Sequence, residues 1–500
     1  MRPPPGLLSR RRRLDKTSRS PLSVWDILWR EMGSRLPMVL ALLAPVAIAA
    51  GAGDPSLPPA EIRQLARTIL AEQVAIPSTF DNGTAEAVRR LAERFLAAGF
   101  AAEDVTLLAQ TEKKVNLVVR LRGRGTGKPI LFLTHLDVVD VDPGEWTVEP
   151  FSLTEQDGYF YGRGTLDIKC EVADLATNLI RLRQEGFTPV RDIVVAFTAD
   201  EEAGSAETNG VRFLLDQHRE LFDVAWVVNT DAGGGQIEDG RRKRLPVQTA
   251  EKVYLSFELS ARGAGGHSSM PGDDNAVLRL ASGLARLNGF RFPAQLNPTT
   301  RAFFASLAQQ HDGQLRDDLL AASRSPADPE AVERLSANPF YNANLRTTCA
   351  ATMLAASRAE NALPVRATAT LQCRLLPGDD PAGVRAALEE RIADPMIQVT
   401  PTREPVLSNA SPLEPEIFDA VEAIAAEMWP AVPVLPVMDV WSTDGAQLRR
   451  AGVPVYGIMG LFFDIHDNRS HGADERILVD AFYDSVEFMY RLMKRLTAGE

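Results

Sequence analysis

The chain has 500 residues, enough for two to four domains at ~100–200 residues each and too many for a small disulfide-stapled scaffold. Its 45% hydrophobic and 24% charged residues are those of a soluble globular protein, which excludes disorder, collagen and coiled coil as whole-chain descriptions. Lys plus Arg number 54 against 66 Asp plus Glu, and a net charge of −12 argues against nucleic acid as a partner. The three cysteines, Cys170, Cys349 and Cys373, form no C-x-x-C pair, so zinc-finger and thioredoxin chemistry are set aside.

Residues 1–53 read as an N-terminal extension and a signal peptide. Met38 to Ala50 is almost wholly apolar, Arg30 and Arg35 precede it, and the small residues Gly51 to Gly53 follow. A spanning helix needs about 20 apolar residues, so stable membrane insertion is not expected. The expectation is an exported protein, periplasmic or extracellular, translated from Met1 or from Met32 and beginning near Gly51 to Ser56 once processed.

After Pro58 and Pro59, the spacing of Ile62, Leu65, Ala66 and Ile69 predicts a helix, and Thr84 to Ala98 predicts another, stopped by Gly99. Short continuous apolar runs follow at Val115–Val119, Ile130–Leu133, Ile193–Phe197, Ala225–Val228 and Val453–Ile458. Such runs, alternating with helical patterns such as Val172, Leu175, Leu179 and Leu182, predict an α/β fold with a mostly parallel sheet flanked by helices. The basic run Arg241–Arg244 reads as a solvated loop. Between Lys252 and Arg403 the pattern changes to strand Val253–Ser260, a helix through Val277 and Leu287, strands Arg346–Leu354 and Val365–Leu375, helix Pro381–Ala393 and strand Ile397–Val399. That βαββαβ order is ferredoxin-like and predicts an independent layer inserted into the α/β sheet. Gly289 to Asn344, rich in Pro and Asn, reads as an insertion within it. The domain expectation is 1–53, 54–250 for the first part of the catalytic domain, 251–403 for the lid, and 404–500 for its second part. If strands Arg346–Leu354 and Val365–Leu375 form a hairpin joined near Glu360, Cys349 and Cys373 fall nearly opposite each other. Export would permit a bridge there, but buried free thiols are the reading preferred from sequence.

Chemistry collects where the apolar runs end. His135 and Asp137 follow the second run, Glu201 and Glu202 the third, Asp231 the fourth and His471 the last, while Asp167 lies in the Gly-rich turn YGRGTLD. Ligands of open α/β sheets bind outside the carboxyl ends of strands. Two histidines with several carboxylates are hard-to-borderline donors that suit zinc or manganese. Two divalent ions would be nearly balanced by Asp167, Asp231 and Glu202, leaving Glu201 free as a base. Strand period places Asp137 on the side of His135, where its carboxylate could fix the imidazole tautomer.

These motifs resemble the peptidase M-20 family of co-catalytic zinc carboxypeptidases, aminoacylases and deacylases, from about Ile62 to Leu496. The resemblance implies a zinc-exopeptidase-like sheet with an inserted lid, and two divalent metal ions per subunit, zinc first and cobalt or manganese as alternatives. It implies His135, Asp167, Glu202, Asp231 and His471 as metal ligands and Glu201 as general base. The G-H-S-S-x-P motif at Gly266 to Pro271 implies His267 as an oxyanion donor, often supplied by a partner in a homodimer. The N-x-L-P and R-x-x-P elements imply Asn361 and Arg374 as residues that hold the substrate carboxylate. NANLRTTCA, ENALP and the long lid insertion are similar to the branch of carboxypeptidase S and the N-acyl-amino-acid hydrolases. One departure stands out: the family's D-D-K-G is Asp167-Ile168-Lys169-Cys170 here, with Cys170 expected as a small buried residue. His466 is the rival of His471 as the late ligand. The function implied is secreted di-metal hydrolysis of the amide bond in small peptides or N-acyl amino acids with a free carboxylate. A di-zinc aminopeptidase or dipeptidase is the alternative, and a non-catalytic binding protein the remote one.

Overall fold

The computed structural model describes residues 57–125, 127–203 and 207–498. The expected signal peptide and its cleavage zone lie outside the described residues. Among the described residues no helix is long and apolar enough to cross a membrane.

A ten-stranded mixed sheet forms the centre. Its strands run in the order Val105–Ala109, Val115–Leu121, Ile193–Thr198, Ile130–His135, Trp226–Asn229, Val455–Gly457, Arg241–Glu251, Gly235–Glu238 and Phe462–Asp464, with Val434–Asp439 paired onto Arg241–Glu251. All five apolar runs fall on this sheet. Ile130–His135 and Ile193–Thr198 are buried at every residue, which is why they read as continuous rather than alternating patterns. The four central strands from Ile193–Thr198 to Val455–Gly457 are parallel. Val115–Leu121, by contrast, is antiparallel to both neighbours. Only residues 122–129 link it to Ile130–His135, too few for the crossover of a dozen or more residues that a parallel pairing requires.

Helix Lys169–Gln184 is buried along its whole length to Leu182, because helices Ala60–Val74 and Val479–Thr497 pack beside it in one apolar core. The Arg241–Arg244 run corrects the loop expectation, since it opens strand Arg241–Glu251. Its charges are tolerated because this end of the strand is solvated and paired: Arg242 meets Asp484, and Arg244 lies 3.9 Å from Glu238.

A second, antiparallel sheet has the order Thr348–Ala355, Arg366–Leu375, Val253–Arg262, Ile397–Pro401, with helices Ala276–Leu287 and Pro381–Ile392 sharing its core. This is the βαββαβ order expected. Arg366–Leu375 alternates strictly between buried and part-exposed residues, the mark of a sheet with one covered face. Asn275 and Asp380 cap the two helices by accepting backbone N–H bonds, with Pro381 pre-set for the first turn. The segment after Gly289 is helical: Pro298–Leu307, Gly313–Ser323, Pro329–Leu335 and Pro339–Leu345 gather around Phe303, Phe304 and Leu335 and take in Leu435 of the central sheet.

Cys349 and Cys373 stand directly opposite each other in register and are joined as a disulfide, which corrects the expectation of free thiols. Cys170 is free and buried. Thiol titration of the unfolded, unreduced protein is therefore expected to count one thiol, and three would contradict the bridge.

Candidate metal centre

Three neighbouring parallel strands end on one side of the sheet, in register His135 with Thr198 and Leu133 with Asn229. Their ends deliver His135, the pair Glu201 and Glu202, and Asp231 to one place. Asp167 arrives from the Gly-rich turn before helix Lys169–Gln184. His471 arrives from the loop before strand Arg476–Leu478, which pairs with Tyr159–Tyr161 just upstream of that turn.

Asp167 is central. Its Oδ1 lies 3.4 Å from His135 Nε2 and its Oδ2 lies 3.2 Å from His471 Nε2. His135 Nε2 also faces Asp231 Oδ1 at 3.7 Å, and His471 Nε2 meets Glu202 Oε1 at 2.9 Å. Two donor groups thus share one carboxylate. His135 Nε2 is buried without a hydrogen-bond partner among the described residues, a position that a cation would fill. Donor atoms of His135, Asp167 and Glu202 lie within 4.8 Å of one another, as do those of His135, Glu201 and Asp231. Without a cation the electrostatics are crowded. Burial, then Asp231, pushes the Glu201 carboxyl well above its usual range, and burial raises Asp231 to about 6 against the pull of His135. Burial opposes charge on His135, yet Asp137, Asp167 and Asp231 together carry it well above an ordinary histidine. Asp167 and Glu202 raise His471 to about 10, and burial of Asp167 is outweighed by the two histidines, which hold its carboxyl low. A cluster of carboxylates and imidazoles in this state fits divalent cations.

Asp137 departs from expectation. His135 Nδ1 lies 3.0 Å from the Asp137 backbone carbonyl, while the carboxylate is 3.6 Å away. Both carboxylate oxygens are committed elsewhere: Oδ1 accepts the Glu201 N–H at 3.1 Å and Oδ2 the Glu202 N–H at 3.0 Å. Asp137 therefore fixes the backbone that carries both glutamates, and its main chain faces the histidine.

Glu475, which the sequence reading left without a role, holds the Gly-rich turn. It is fully buried and accepts N–H bonds from Gly164 (2.9 Å), Leu166 (2.7 Å) and Asp167 (2.9 Å), while Arg163 pairs with it at 2.6 Å. Burial pushes its carboxyl up, opposed by Arg163 and these amides. Gly164 sits at φ +85°, and a Cβ there would lie 2.9 Å from Val138 and Lys169 side-chain carbons. Buried Lys169 donates to the Gln73 and Ile76 carbonyls, and burial brings its pKa to about 7. Cys170 lies buried in the same first turn, outside the cluster. Glu475→Ala would leave Arg163 unpaired in the interior, a loss on the order of 3–5 kcal/mol that a denaturant melt would read. An unchanged midpoint would remove Glu475 from this role.

The lid residues stand apart from this cluster. His267 is exposed on a two-residue ribbon, Gly266–His267 paired with Ala362–Leu363. Its Nδ1 lies 2.7 Å from Ser269 Oγ. Ser268 N–H donates to the Asn361 carbonyl at 3.0 Å, so the GHSSMP and NALP motifs are neighbours. Arg374 stacks over Tyr254 with 4.7 Å to the ring centroid and has no ion pair among the described residues. None of the three contacts this cluster. His466 is exposed, and the clustered donor atoms do not include its own.

A mixed α/β sheet with acids and histidines at its strand ends and an inserted antiparallel lid is the architecture of a metal-dependent hydrolase. Residues 131–495 match the model of peptidase family M20/M25/M40, and the chain belongs to that family. It is 28% identical over 386 residues to an N-fatty-acyl-amino acid synthase/hydrolase, PM20D1, of Xenopus tropicalis, covering 73% of this chain and 72% of that protein. A probable carboxypeptidase S-like 2 of Dictyostelium discoideum is 28% identical over 380 residues, with 73% and 71% covered. Among solved structures, the M20 family metallo-carboxypeptidase Sso-CP2 of Sulfolobus solfataricus superposes with a TM-score of 0.64 at 19% identity, covering 86% of this chain and 99% of that one.

Proposed function

We propose that this hydrolase cleaves the amide bond of N-acyl amino acids or small peptides with a free carboxylate, at a centre of two divalent cations. The observation that carries the reading is Asp167, whose two oxygens face two different histidines. His135, Asp231 and Asp167 would hold one cation, and His471, Glu202 and Asp167 the other. Zinc suits this N/O set, with cobalt or manganese as substitutes. Such ions supply Lewis acidity to the scissile carbonyl and acidify the attacking water.

The chain's own groups do the remainder. Glu201 takes the proton of the water and returns it to the leaving amine. Asp137 holds the Glu201 backbone while it does so. His267 stabilises the developing oxyanion, and Arg374, with Asn361 beside the ribbon, takes the substrate carboxylate through its planar fork. Relatives named for N-fatty-acyl-amino acids and for carboxypeptidase S favour a substrate with a free carboxylate over one with a free α-amine.

His267 lies on the inserted layer, whereas Glu201 and the acids and histidines of the cluster gather at the strand ends of the central sheet, which suits a homodimer whose lid reaches the partner's site. Strand Thr348–Ala355 is paired on one side only among the described residues and exposes Met353 and Leu354, the kind of edge that a second lid would cover. The apolar run Met38–Ala50 supports export to the periplasm or beyond, and a cross-strand disulfide suits an oxidising compartment.

Hydrolysis of a panel of N-acyl amino acids, dipeptides and their carboxyl-amidated forms tests the substrate class. Blocking the carboxylate is expected to raise KM steeply, and Arg374→Ala is expected to do the same to the free acid. Preference for a free α-amine would instead favour an aminopeptidase. Mixing inactive His267→Ala and Glu201→Gln proteins with subunit exchange should partly restore activity if the lid acts in trans. No recovery would assign His267 to its own chain.

A further inference from the structure

We infer that a cavity on the lid, sharing no residue with the metal cluster, binds an amphipathic carboxylate: an aliphatic chain ending in a carboxylate group. The cavity measures about 400 Å³, within the ~300–1,000 Å³ range of small-molecule sites. It lies between the end of helix Ala276–Leu287, the segment 288–292, helix Pro339–Leu345 and strand Thr348–Ala355. Its apolar side is built from Leu284, Leu287, Phe290, Phe292, Leu371 and Leu388.

The other end is cationic and incompletely bonded. Arg346 is only 6% exposed, and among the described residues no carboxylate pairs with it. Its Nη1 donates to the Phe292 carbonyl at 3.1 Å and its Nη2 to Ser336 Oγ at 2.8 Å, both neutral acceptors. Its Nε is buried with no hydrogen-bond partner among the described residues, and so is Oδ1 of Asn342, which lines the same cavity. Nearby Arg291 adds further positive charge, although its own partner is Glu333 at 2.8 Å. A purely structural role for Arg346, tying Phe292 to Ser336, accounts for its two terminal nitrogens. It accounts neither for the vacant Nε–H nor for Asn342, and it requires no cavity beside them.

A buried guanidinium without an acid is costly, and a carboxylate entering the cavity relieves it by accepting the Nε–H bond. Asn342 can present its NH₂ in place of its oxygen by a turn of the amide and so supply a second donor. The apolar side then takes the chain. A neutral lipid would leave Arg346 unpaired, and a cation would be repelled. Free fatty carboxylates and N-acyl amino acids both carry this chemistry, and the inference does not depend on how the metal cluster is read.

The test is calorimetric titration of the full-length enzyme with decanoate, decanol and decyltrimethylammonium. N-decanoylglycine is titrated into Glu201→Gln protein, so that it is not consumed. Decanoate is expected to bind at least about tenfold more tightly than decanol, and the ammonium amphiphile not measurably. Arg346→Lys should weaken decanoate by about tenfold. Should that substitution not fold, Ala351→Trp, at an exposed position on the cavity rim, gives a second route and should weaken decanoate at least tenfold in protein of unchanged melting temperature and oligomeric state. Whichever of decanoate and N-decanoylglycine loses more affinity when Ala351→Trp is added to Glu201→Gln identifies the source of the carboxylate in the cavity. Decanoate affinity unchanged in Ala351→Trp would place binding elsewhere, at the metals for example, and overturn the assignment. Equal affinity for decanol would overturn it as well.

Discussion

Glu201→Gln is expected to lower kcat by about 10²–10⁴, the scale of losing a general base, while metal content stays near two ions per chain. The substitution keeps the side-chain shape and the backbone N–H that Asp137 accepts, so the turn carrying Glu202 should not move. It removes only the ability to carry a proton. Metal analysis beside the kinetics makes the result decisive, because a Glu201 oxygen also lies within 4.8 Å of donor atoms of His135 and Asp231. If Glu201 were a ligand, the variant would lose metal along with activity. Near-normal turnover would show that the base lies elsewhere.

Asp167→Ala is expected to be more severe. One carboxylate faces both histidines, so its removal takes a ligand from each of the two cation positions at once. Metal content should fall below one ion per chain, and activity should fall to the uncatalysed background, a larger loss than the ~10²–10⁴ of losing the base alone. Asp231→Ala removes a group that faces only His135, and it should spare the position at His471 and Glu202. Equal metal loss in the two variants would contradict the shared role of Asp167.

Much of this site was legible in the sequence because parallel strands buried on both faces announce themselves as apolar runs. The histidine and carboxylates that follow such runs within two to four residues, His135, Glu201 and Asp231, must then sit near the strand ends. What the sequence could not convey was the support beneath them. A glutamate such as Glu475 reads as a solvated charge until the chain folds back more than 300 residues to place it under the Gly-rich turn. The reversal at Asp137, backbone toward His135 and carboxylate toward two amides, turns on the difference between 3.0 and 3.6 Å.

The insertion after Gly289 shows a different gap. Its Pro and Asn content marks an insertion without revealing its helices, yet Asn297-Pro298, Asp328-Pro329 and Asn338-Pro339 are each a capping residue followed by proline at the first helical position. The breakers mark helix starts. Helices of seven to eleven residues carry too little periodicity to reveal themselves otherwise. For Cys349 and Cys373 the hairpin register was legible while the bond was not, because facing positions permit a bridge without requiring one.

Anomalous diffraction at the zinc edge, from crystals of the zinc-loaded protein, tests the two-cation centre most directly. The expected result is two peaks about 3.5–4 Å apart. One would lie against His135 and Asp231, the other against His471 and Glu202, with an oxygen of Asp167 on each. A single peak, or two peaks that do not share Asp167, would contradict it.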